Sequence, residues 1–223
     1  KLINNKEMIL HVYEAAKKSN AGEVYVATPD KAIFELVSNY GGKAVLSSET
    51  HNTGTDRIFE VFKNTLKSSP NIIVNLQGDM PNIEPKIIKN LINYMQQGKC
   101  EVGTLASEIK NNFELEDENI VKVLVKEKLK EGIFSEALDF LRVNPGKDHK
   151  TYHHVGIYAF TSIALTKYVS LKRSKLELNR KLEQLRAMEN GMSIHVGYIN
   201  SSPLSVDTEK DLFRIKKLME QNE

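Results

Sequence analysis

One segment, residues 71–79, constrains the fold more than any other part of the chain. It reads NIIVNLQGD, an apolar run that ends in an amide, a glycine and a carboxylate. Such a run is typical of a buried strand in a parallel sheet, and open α/β sheets bind ligands beyond the carboxyl ends of their strands. Gly78 would let the backbone approach a phosphate or a sugar, and Asp79 is suited to a hard cation such as Mg²⁺. Alternatively, Gly78 supplies a turn and Asp79 caps the next helix.

Strands and helices alternate through the first half of the sequence. Residues 23–28 and 44–46 have the pattern of short strands. Asp30 is a predicted N-cap, and helix-spaced apolar residues follow both it and the polar loop at 47–55. Pro85 opens a further helix. This order predicts an α/β fold with a doubly wound, mainly parallel sheet, because parallel strands need crossover connections.

The middle of the chain changes character. Valines in residues 121–125 alternate with other residues, which indicates strands with one solvated face. We therefore expect residues 107–155 to form a small β-rich lobe inserted into a single domain, residues 1–223.

Two helices are predicted nearer the end of the chain. Residues 177–190 have the pattern of one amphipathic helix that Gly191 ends. Thr208 and Asp211 resemble a capping box, with Asp in the place of the usual Glu, that opens the last helix.

Composition excludes several classes of protein. The net charge is +2 and the basic residues are scattered among acidic ones, so a nucleic-acid partner is not expected. No apolar run reaches transmembrane length and no signal peptide is visible, so we expect a soluble, cytoplasmic protein without a membrane partner. Cys100 is the single cysteine, which precludes an intramolecular disulfide and suits a reducing compartment. It is more simply a small buried hydrophobic residue than a nucleophile.

Five polar clusters lie at predicted strand ends or helix starts. They are residues 51–57 (HNTGTDR), 77–79 (QGD), 153–158 (HHVGIY), 182–186 (LEQLR) and 206–208 (VDT). In this order and spacing they resemble the 3-deoxy-manno-octulosonate cytidylyltransferases, also called CMP-Kdo synthetases, from about Ile3 to the last helix. The resemblance implies a nucleotide-diphospho-sugar transferase-like fold. It also implies transfer of a cytidylyl group from CTP to the sugar acid Kdo for lipopolysaccharide biosynthesis, with Mg²⁺ as the cofactor and a homodimer as the assembly.

The resemblance assigns the catalytic and metal-binding roles to two carboxylates. Asp79 and Asp207 each follow a predicted strand and would share one Mg²⁺, although they are far apart in the sequence. The alternative for Asp207 is an electrostatic role at the start of the last helix, where a carboxylate is favoured.

The resemblance also assigns the residues that would bind the nucleotide. Thr53 and Gly54 would meet the cytosine and ribose, Gln77 would lie at the same site, and Arg57 would either brace the loop or face the nucleotide. In the competing interpretation, Thr55 caps the following helix and Arg57 faces solvent.

The resemblance assigns the sugar-acid pocket to a set of neutral donors and acceptors suited to a hydroxyl-rich ligand, namely Gln77, His154, Tyr158, Glu183 and Gln184. Adjacent strand residues point to opposite faces, so only one of His153 and His154 can reach a given pocket, and the family position selects His154.

Two departures from the family pattern leave alternatives open. A first strand and a phosphate-binding loop expected upstream of Lys1 are missing from this sequence. Glu136 stands where family members commonly have an arginine, and Arg142 is a candidate replacement. The alternatives are therefore an enzyme that activates another sugar acid, and a non-catalytic nucleotide-sugar binding protein.

Overall fold

The computed structural model describes residues 1–66, 70–146 and 150–221, which divide into two compact units. Unit 1 comprises Lys1–Lys67, Gln77–Lys89 and Pro203–Glu223, and unit 2 comprises Ser68–Leu76 and Asn90–Ser202. The strands β1 to β10, in chain order within the described residues, are Leu2–Ile3, Lys6–Glu7, Tyr25–Thr28, Lys43–Leu46, Ile72–Asn75, Val102–Ser107, Lys122–Val125, Phe134–Leu141, Thr151–Thr161 and Ile194–Tyr198. The helices α1 to α9 are Met8–Lys18, Lys31–Asn39, Gly54–Thr65, Pro85–Met95, Asn112–Glu116, Ser162–Ser170, Lys175–Arg180, Gln184–Glu189 and Glu209–Glu220.

Unit 1 contains a small α/β core. β3 and β4 pair in parallel, with Tyr25 opposite Lys43. α2 connects them, and Asp30 caps this helix as predicted, because its carboxylate accepts hydrogen bonds from the backbone of Ala32 and Ile33. Buried side chains of α1, β3 and α2 pack together, namely Leu10, Tyr13, Val26 and Val37. Burial of each such side chain stabilises the fold by roughly 1.5–3 kcal/mol.

The last helix, α9, packs within unit 1 against the first strand. Leu212 and Ile215 lie with Ile3 in a second buried cluster. Thr208 and Asp211 form the predicted capping box, since each side chain accepts a hydrogen bond from the other residue's backbone N–H. The start of α9 is therefore fixed by its own local sequence.

Unit 2 is built on a six-stranded mixed sheet in the order β5-β9-β6-β10-β8-β7, with an additional pairing between β9 and β7. That pairing closes five of the strands into a barrel-like ring. β9 makes closure possible because its start pairs with β7 and its later residues pair with β6 and β5. Register shifts at Thr104/Leu105 and Leu124/Val125 accompany the bend, as bulges do where sheets curve.

The α/β class is confirmed, but the expectation of a mainly parallel sheet is wrong for unit 2. The helix α4 connects β5 to β6, yet β9 lies between these two strands and is antiparallel to both. Among the described pairings only β3 with β4 and β6 with β10 are parallel. Hydrophobic pattern reports which face of a strand is buried, but it does not specify the strand's neighbour or direction.

The single helix predicted over residues 177–190 is also wrong. The structure has two short helices, α7 and α8, because Lys181 adopts a left-handed conformation with φ of 54° and ends α7. The amphipathic spacing continues across the break, so it could not reveal the break.

The lobe predicted at 107–155 contains α5, β7, β8 and the beginning of β9, except that its residues 147–149 lie outside the described residues. Single-domain organisation with an inserted lobe stays a prediction.

Among the helices of the described residues, none has both the length and the apolar composition of a membrane span. Cys100 is buried, and burial raises the pKa of its thiol to about 11, so it is not an activated nucleophile.

Candidate active site

Asp79 and Asp207 lie close together in unit 1. The hydroxyl of Ser205 is 3.0 Å from Oδ2 of Asp79 and 3.2 Å from Oδ2 of Asp207. A serine hydroxyl has one proton, so these two carboxylates share a single donor. The chain therefore brings two acidic groups together at one hydroxyl.

Backbone contacts explain this convergence. The Val206 N–H donates to the carbonyl of Asp79 at 3.0 Å, and the Leu204 N–H donates to Oδ1 of Asn82 at 2.9 Å. The segment before α9 therefore runs alongside the loop after β5. Gly78 packs closely here, since a Cβ at this position would lie 3.0 Å from Cδ1 of Ile9 and that side chain would have to shift slightly.

The electrostatics of Asp79 favour a bound cation. Burial raises the pKa of its carboxyl group, and the charge of Asp207 adds to the rise, while the hydrogen bond from Ser205 opposes it. Oδ1 of Asp79 is buried and has no hydrogen-bond partner among the described residues. An unpartnered buried carboxylate oxygen beside a second carboxylate fits a hard, oxygen-seeking ion such as Mg²⁺. The described residues contain no cluster of three or more His, Cys, Asp or Glu side chains that could hold a metal, so phosphate or water oxygens would have to complete its coordination.

Capping does not account for Asp207. The carboxylate of Asp211 accepts a hydrogen bond from the Thr208 N–H at 2.9 Å, and the Thr208 hydroxyl accepts from the Asp211 N–H at 3.2 Å. Asp207 precedes this box and directs its carboxylate toward Ser205. Thr208 and Asp211 therefore fill the alternative role that was considered for Asp207 at the start of α9.

The loop before α3 is held by Arg57. Its Nη1 donates to Oγ of Ser47 at 2.6 Å and to the carbonyl of Ser48 at 2.8 Å. Arg57 therefore braces the loop, which was one of its two predicted roles. Thr53, rather than Thr55, caps α3, because its hydroxyl oxygen accepts from the Asp56 N–H at 3.2 Å. The interpretation that placed the cap at Thr55 is wrong, and Gly54 opens the helix.

A second brace was not predicted. Glu60 of α3 accepts a hydrogen bond from the Ser48 N–H at 3.1 Å and pairs with the ring of His51. The hydrogen bond with His51 is the largest of the effects that lower the pKa of Glu60. Residues on one face of α3 thus hold the backbone of the loop that carries Thr53. Gln77 lies in unit 1, on the segment that leads to Asp79.

The other predicted pocket residues lie in unit 2. His154 is buried, its Nε2 is 2.9 Å from the hydroxyl of Thr104, and its ring contacts that of Tyr158 with centroids 5.5 Å apart. Burial, with a smaller contribution from His153, lowers the pKa of His154 to about 3, so the ring is neutral at physiological pH. Burial also raises the pKa of Tyr158, as does the nearby Glu183. Both aromatic groups are therefore neutral hydrogen-bonding groups, which suits recognition better than proton transfer.

Gln184 opens α8 and is buried, with 5% of its surface exposed. Its Nε2 has no hydrogen-bond partner among the described residues. A buried amide without a partner is costly, so this group is a strong candidate for contact with a ligand.

The second departure from the family pattern concerns Glu136 and its candidate replacement, Arg142. Glu136 lies on the exposed face of β8, where Nζ of Lys126 approaches it to 3.5 Å. Arg142 donates to the backbone carbonyls of Glu118 and Arg180 at 3.1 and 3.3 Å, so part of its guanidinium holds the backbone. Its place as a replacement cation stays a prediction.

Known proteins resemble this chain along nearly its whole length. The family model described as Cytidylyltransferase matches residues 1–194. The 3-deoxy-manno-octulosonate cytidylyltransferase of Bartonella tribocorum is 39% identical, over 97% of this chain and 89% of that protein. The chain belongs to the 3-deoxy-manno-octulosonate cytidylyltransferase family. The resemblance found in the sequence is thereby confirmed, and the protein is a nucleotidyltransferase.

Solved structures of cytidylyltransferases share the fold. The structure of CMP:2-keto-3-deoxy-manno-octonic acid synthetase complexed with CTP has a TM-score of 0.90 and 34% identity, and the match covers 100% of this chain and 91% of that one. The 4-diphosphocytidyl-2C-methyl-D-erythritol synthase of Anaerococcus prevotii has a TM-score of 0.65 at 14% identity, over 98% of this chain and 91% of that one. The second match indicates the fold alone.

Sequence reasoning missed the residues that support the family motifs. Ser205 precedes the VDT segment and Glu60 follows the HNTGTDR segment, but neither has a distinctive local pattern. Asp79, which Ser205 contacts, lies in a distant part of the sequence. His51, which pairs with Glu60, lies in the loop just before the same helix. Only the second of these could have been found, from the helical spacing between Arg57 and Glu60.

Proposed function

We propose that this cytidylyltransferase couples CTP to Kdo, releasing pyrophosphate and forming CMP-Kdo for lipopolysaccharide biosynthesis. The observation that carries the proposal is the convergence of Asp79 and Asp207 on Ser205, with Oδ1 of Asp79 buried and unpartnered in the described structure. The names of the relatives supply the substrates, and the paired carboxylates supply a place for the cation that would compensate the charge of the reacting phosphate.

The reaction sets a clear electrostatic demand. The anomeric hydroxyl oxygen forms a bond to the α-phosphorus of CTP, while the bond from that phosphorus to the β-phosphate oxygen breaks. Both substrates are anionic, so catalysis depends mainly on positioning and on compensation of charge. When bound, Mg²⁺ supplies that compensation, and Asp79 and Asp207 are the residues that would hold it. The role of the two aspartates would be to hold the cation at the place where the phosphate binds.

Each unit contributes a distinct set of binding groups to the proposal. In unit 1, Thr53 and Gly54 bind the cytosine and ribose, Arg57 holds their loop in place, and Gln77 lies beside the aspartate segment. In unit 2, a neutral His154 and the hydroxyl of Tyr158 bind sugar hydroxyls.

Glu183 and Gln184 complete the sugar-acid set in unit 2. The Gln184 amide donates to the ligand, which gives its buried Nε2 the partner that it otherwise lacks. Neutral and acidic groups in this arrangement select a polyhydroxylated ligand.

Four further features belong to the same proposal. The enzyme uses Mg²⁺, works in the cytoplasm, assembles as a homodimer, and places β3 and β4 in a doubly wound layer. The family resemblance supports all four features. The parallel pairing of β3 with β4 further supports the doubly wound layer.

The decisive experiment measures pyrophosphate release from CTP or UTP with Kdo and with other sugar acids, at graded Mg²⁺. We expect CTP with Kdo to give the highest activity. Asp79→Asn and Asp207→Asn should each nearly abolish it, because each variant removes one of the two anions that hold the cation.

Asp30→Asn is the matched control, since asparagine also caps a helix and Asp30 has an identified structural role in the same unit. Full turnover in either Asp79→Asn or Asp207→Asn would defeat the metal assignment. Turnover with a different sugar acid would replace Kdo as the substrate, and nucleotide binding without turnover would leave only a binding function.

A further inference from the structure

Unit 2 contains a fully buried ion pair between α7 and α8. Glu177 is 0% exposed and Arg186 is 3% exposed, and the guanidinium makes two hydrogen bonds to the carboxylate, of 2.9 and 2.7 Å. Arg173 adds a third at 2.8 Å. Burial alone would raise the pKa of Glu177, but the hydrogen bonds from Arg186 and Arg173 outweigh it and lower the pKa. A buried pair of this kind contributes little net stability, because desolvation offsets the attraction, yet it fixes geometry strictly.

Tyr168 connects this pair to the predicted sugar-acid residues. The Arg186 guanidinium lies over the Tyr168 ring, 4.6 Å from its centroid. Tyr168 is 1% exposed, and its hydroxyl donates to the carbonyl of Glu183 at 2.9 Å. A continuous set of buried contacts therefore leads from Glu177 through Arg186 and Tyr168 to the backbone next to Gln184.

The connector between the two helices, residues 181–183, depends on side chains to satisfy its backbone. Lys181 interrupts the helical hydrogen bonding with its left-handed conformation. Arg142 donates to the carbonyl of Arg180 at 3.3 Å and to that of Lys181 at 3.4 Å, and Tyr168 serves the carbonyl of Glu183. Carbonyls at a helix end otherwise need water or another cap, so these side chains determine where the connector lies.

We propose that Tyr168 and the Glu177–Arg186 pair position Glu183 and Gln184 for binding of the sugar acid. This inference rests on the proposed function. The amide of Gln184 is buried and unpartnered in the described structure, so its contribution to binding depends on a placement accurate to a fraction of an ångström. Tyr168 holds the peptide group immediately before it and is a positioning residue.

Tyr168→Phe tests the proposal, because it removes one hydroxyl and keeps the ring beneath Arg186. We expect the KM for Kdo at saturating CTP to rise about fivefold or more, the loss equivalent to one hydrogen bond, and the KM for CTP to stay within about twofold. Tyr152→Phe is the matched control. Tyr152 is also a buried tyrosine of unit 2, and its hydroxyl accepts from the Leu129 N–H at 3.1 Å. This control should leave the KM for Kdo unchanged.

Arg186→Lys provides an independent test, since it keeps the positive charge but loses the two-pronged contact with Glu177. The same selective rise in the KM for Kdo is expected. Circular dichroism and thermal unfolding establish that each variant is folded.

An unchanged KM for Kdo in folded Tyr168→Phe, or equal rises for both substrates, would overturn the inference. Failure of both Tyr168→Phe and Arg186→Lys to fold would also overturn it, by reducing these residues to structural support. Absence of pyrophosphate release by the wild-type protein with Kdo would instead refute the proposed function itself.

Discussion

The hydroxyl of Ser205 lies 3.0 Å from Oδ2 of Asp79, although 126 positions separate the two residues in the sequence. The Ser205 hydroxyl also lies 3.2 Å from Oδ2 of Asp207. The two carboxylates are close enough for the charge of Asp207 to raise the pKa of Asp79. The arrangement suits a site completed by a cation, and it makes Ser205 the group that fixes the spacing of the two aspartates.

Ser205→Ala should weaken divalent-cation binding. Loss of the shared hydrogen bond frees both carboxylates to separate, and loss of a supporting contact behind a metal ligand typically costs about 10–100-fold in affinity. The measurement is Mn²⁺ binding by electron paramagnetic resonance, together with the Mg²⁺ concentration for half-maximal pyrophosphate release. Ser205→Thr keeps the hydroxyl and should stay close to wild type. Wild-type Mn²⁺ affinity in Ser205→Ala would show that the aspartates hold their positions without this hydroxyl.

Gln184→Ala should raise the KM for the sugar acid and leave that for CTP nearly unchanged. The buried Nε2 has no partner among the described residues, so its hydrogen bond to a ligand would be worth about 1 kcal/mol, or roughly fivefold in binding. Steady-state kinetics with each substrate varied in turn provide the comparison. Gln96→Ala, at an exposed position in the same unit, is the control. Equal changes for both substrates would count against a place for Gln184 in the sugar-acid pocket.

Thr53→Ala should lower the free energy of unfolding by about 1 kcal/mol, because it removes the N-cap of α3. It should also raise the KM for CTP, since the capped turn presents the loop proposed to bind the base. Thr53→Ser retains the capping oxygen and should restore stability. Denaturant unfolding and CTP kinetics measure the two effects. If Thr53→Ala matched the wild type in stability, the cap seen in the structure would be energetically unimportant.

His154 should make the protein less stable as the pH falls. Its pKa is about 3 in the folded state and near 6.5 when unfolded, so below pH 6.5 the unfolded chain gains a proton that the folded protein excludes. Above pH 6.5 this group has no effect. Between the two values, it should lower the free energy of unfolding by about 1.4 kcal/mol per pH unit.

His154→Gln tests this dependence, since it keeps a donor for Thr104 and removes the titration. Urea unfolding between pH 7 and pH 5 should show a smaller decline in the variant than in the wild type. His11→Gln, which leaves His154 in place, should retain the His154-dependent decline. Identical slopes in His154→Gln and the wild type would mean that His154 titrates normally in the folded protein.

Local features were the most predictable from the sequence. The cap at Asp30 and the capping box at Thr208 were both found, because each depends on residues within one helical turn. The family was also identified from short polar segments, because the chemistry of phosphate and sugar binding restricts residue types at strand ends. In contrast, the helix predicted over residues 177–190 was wrong, since the left-handed Lys181 leaves the apolar spacing intact.

Sequence by itself determined the α/β class, the order of the five polar clusters and the family. Only the tertiary structure decided that β9 lies between β5 and β6, that one serine joins Asp79 to Asp207, and that Tyr168 holds the carbonyl of Glu183. The physical reason is the range of the interactions. Caps and periodic faces arise from neighbours along the chain, whereas strand partners and shared hydrogen bonds join residues whose distance in sequence carries no signal of their contact.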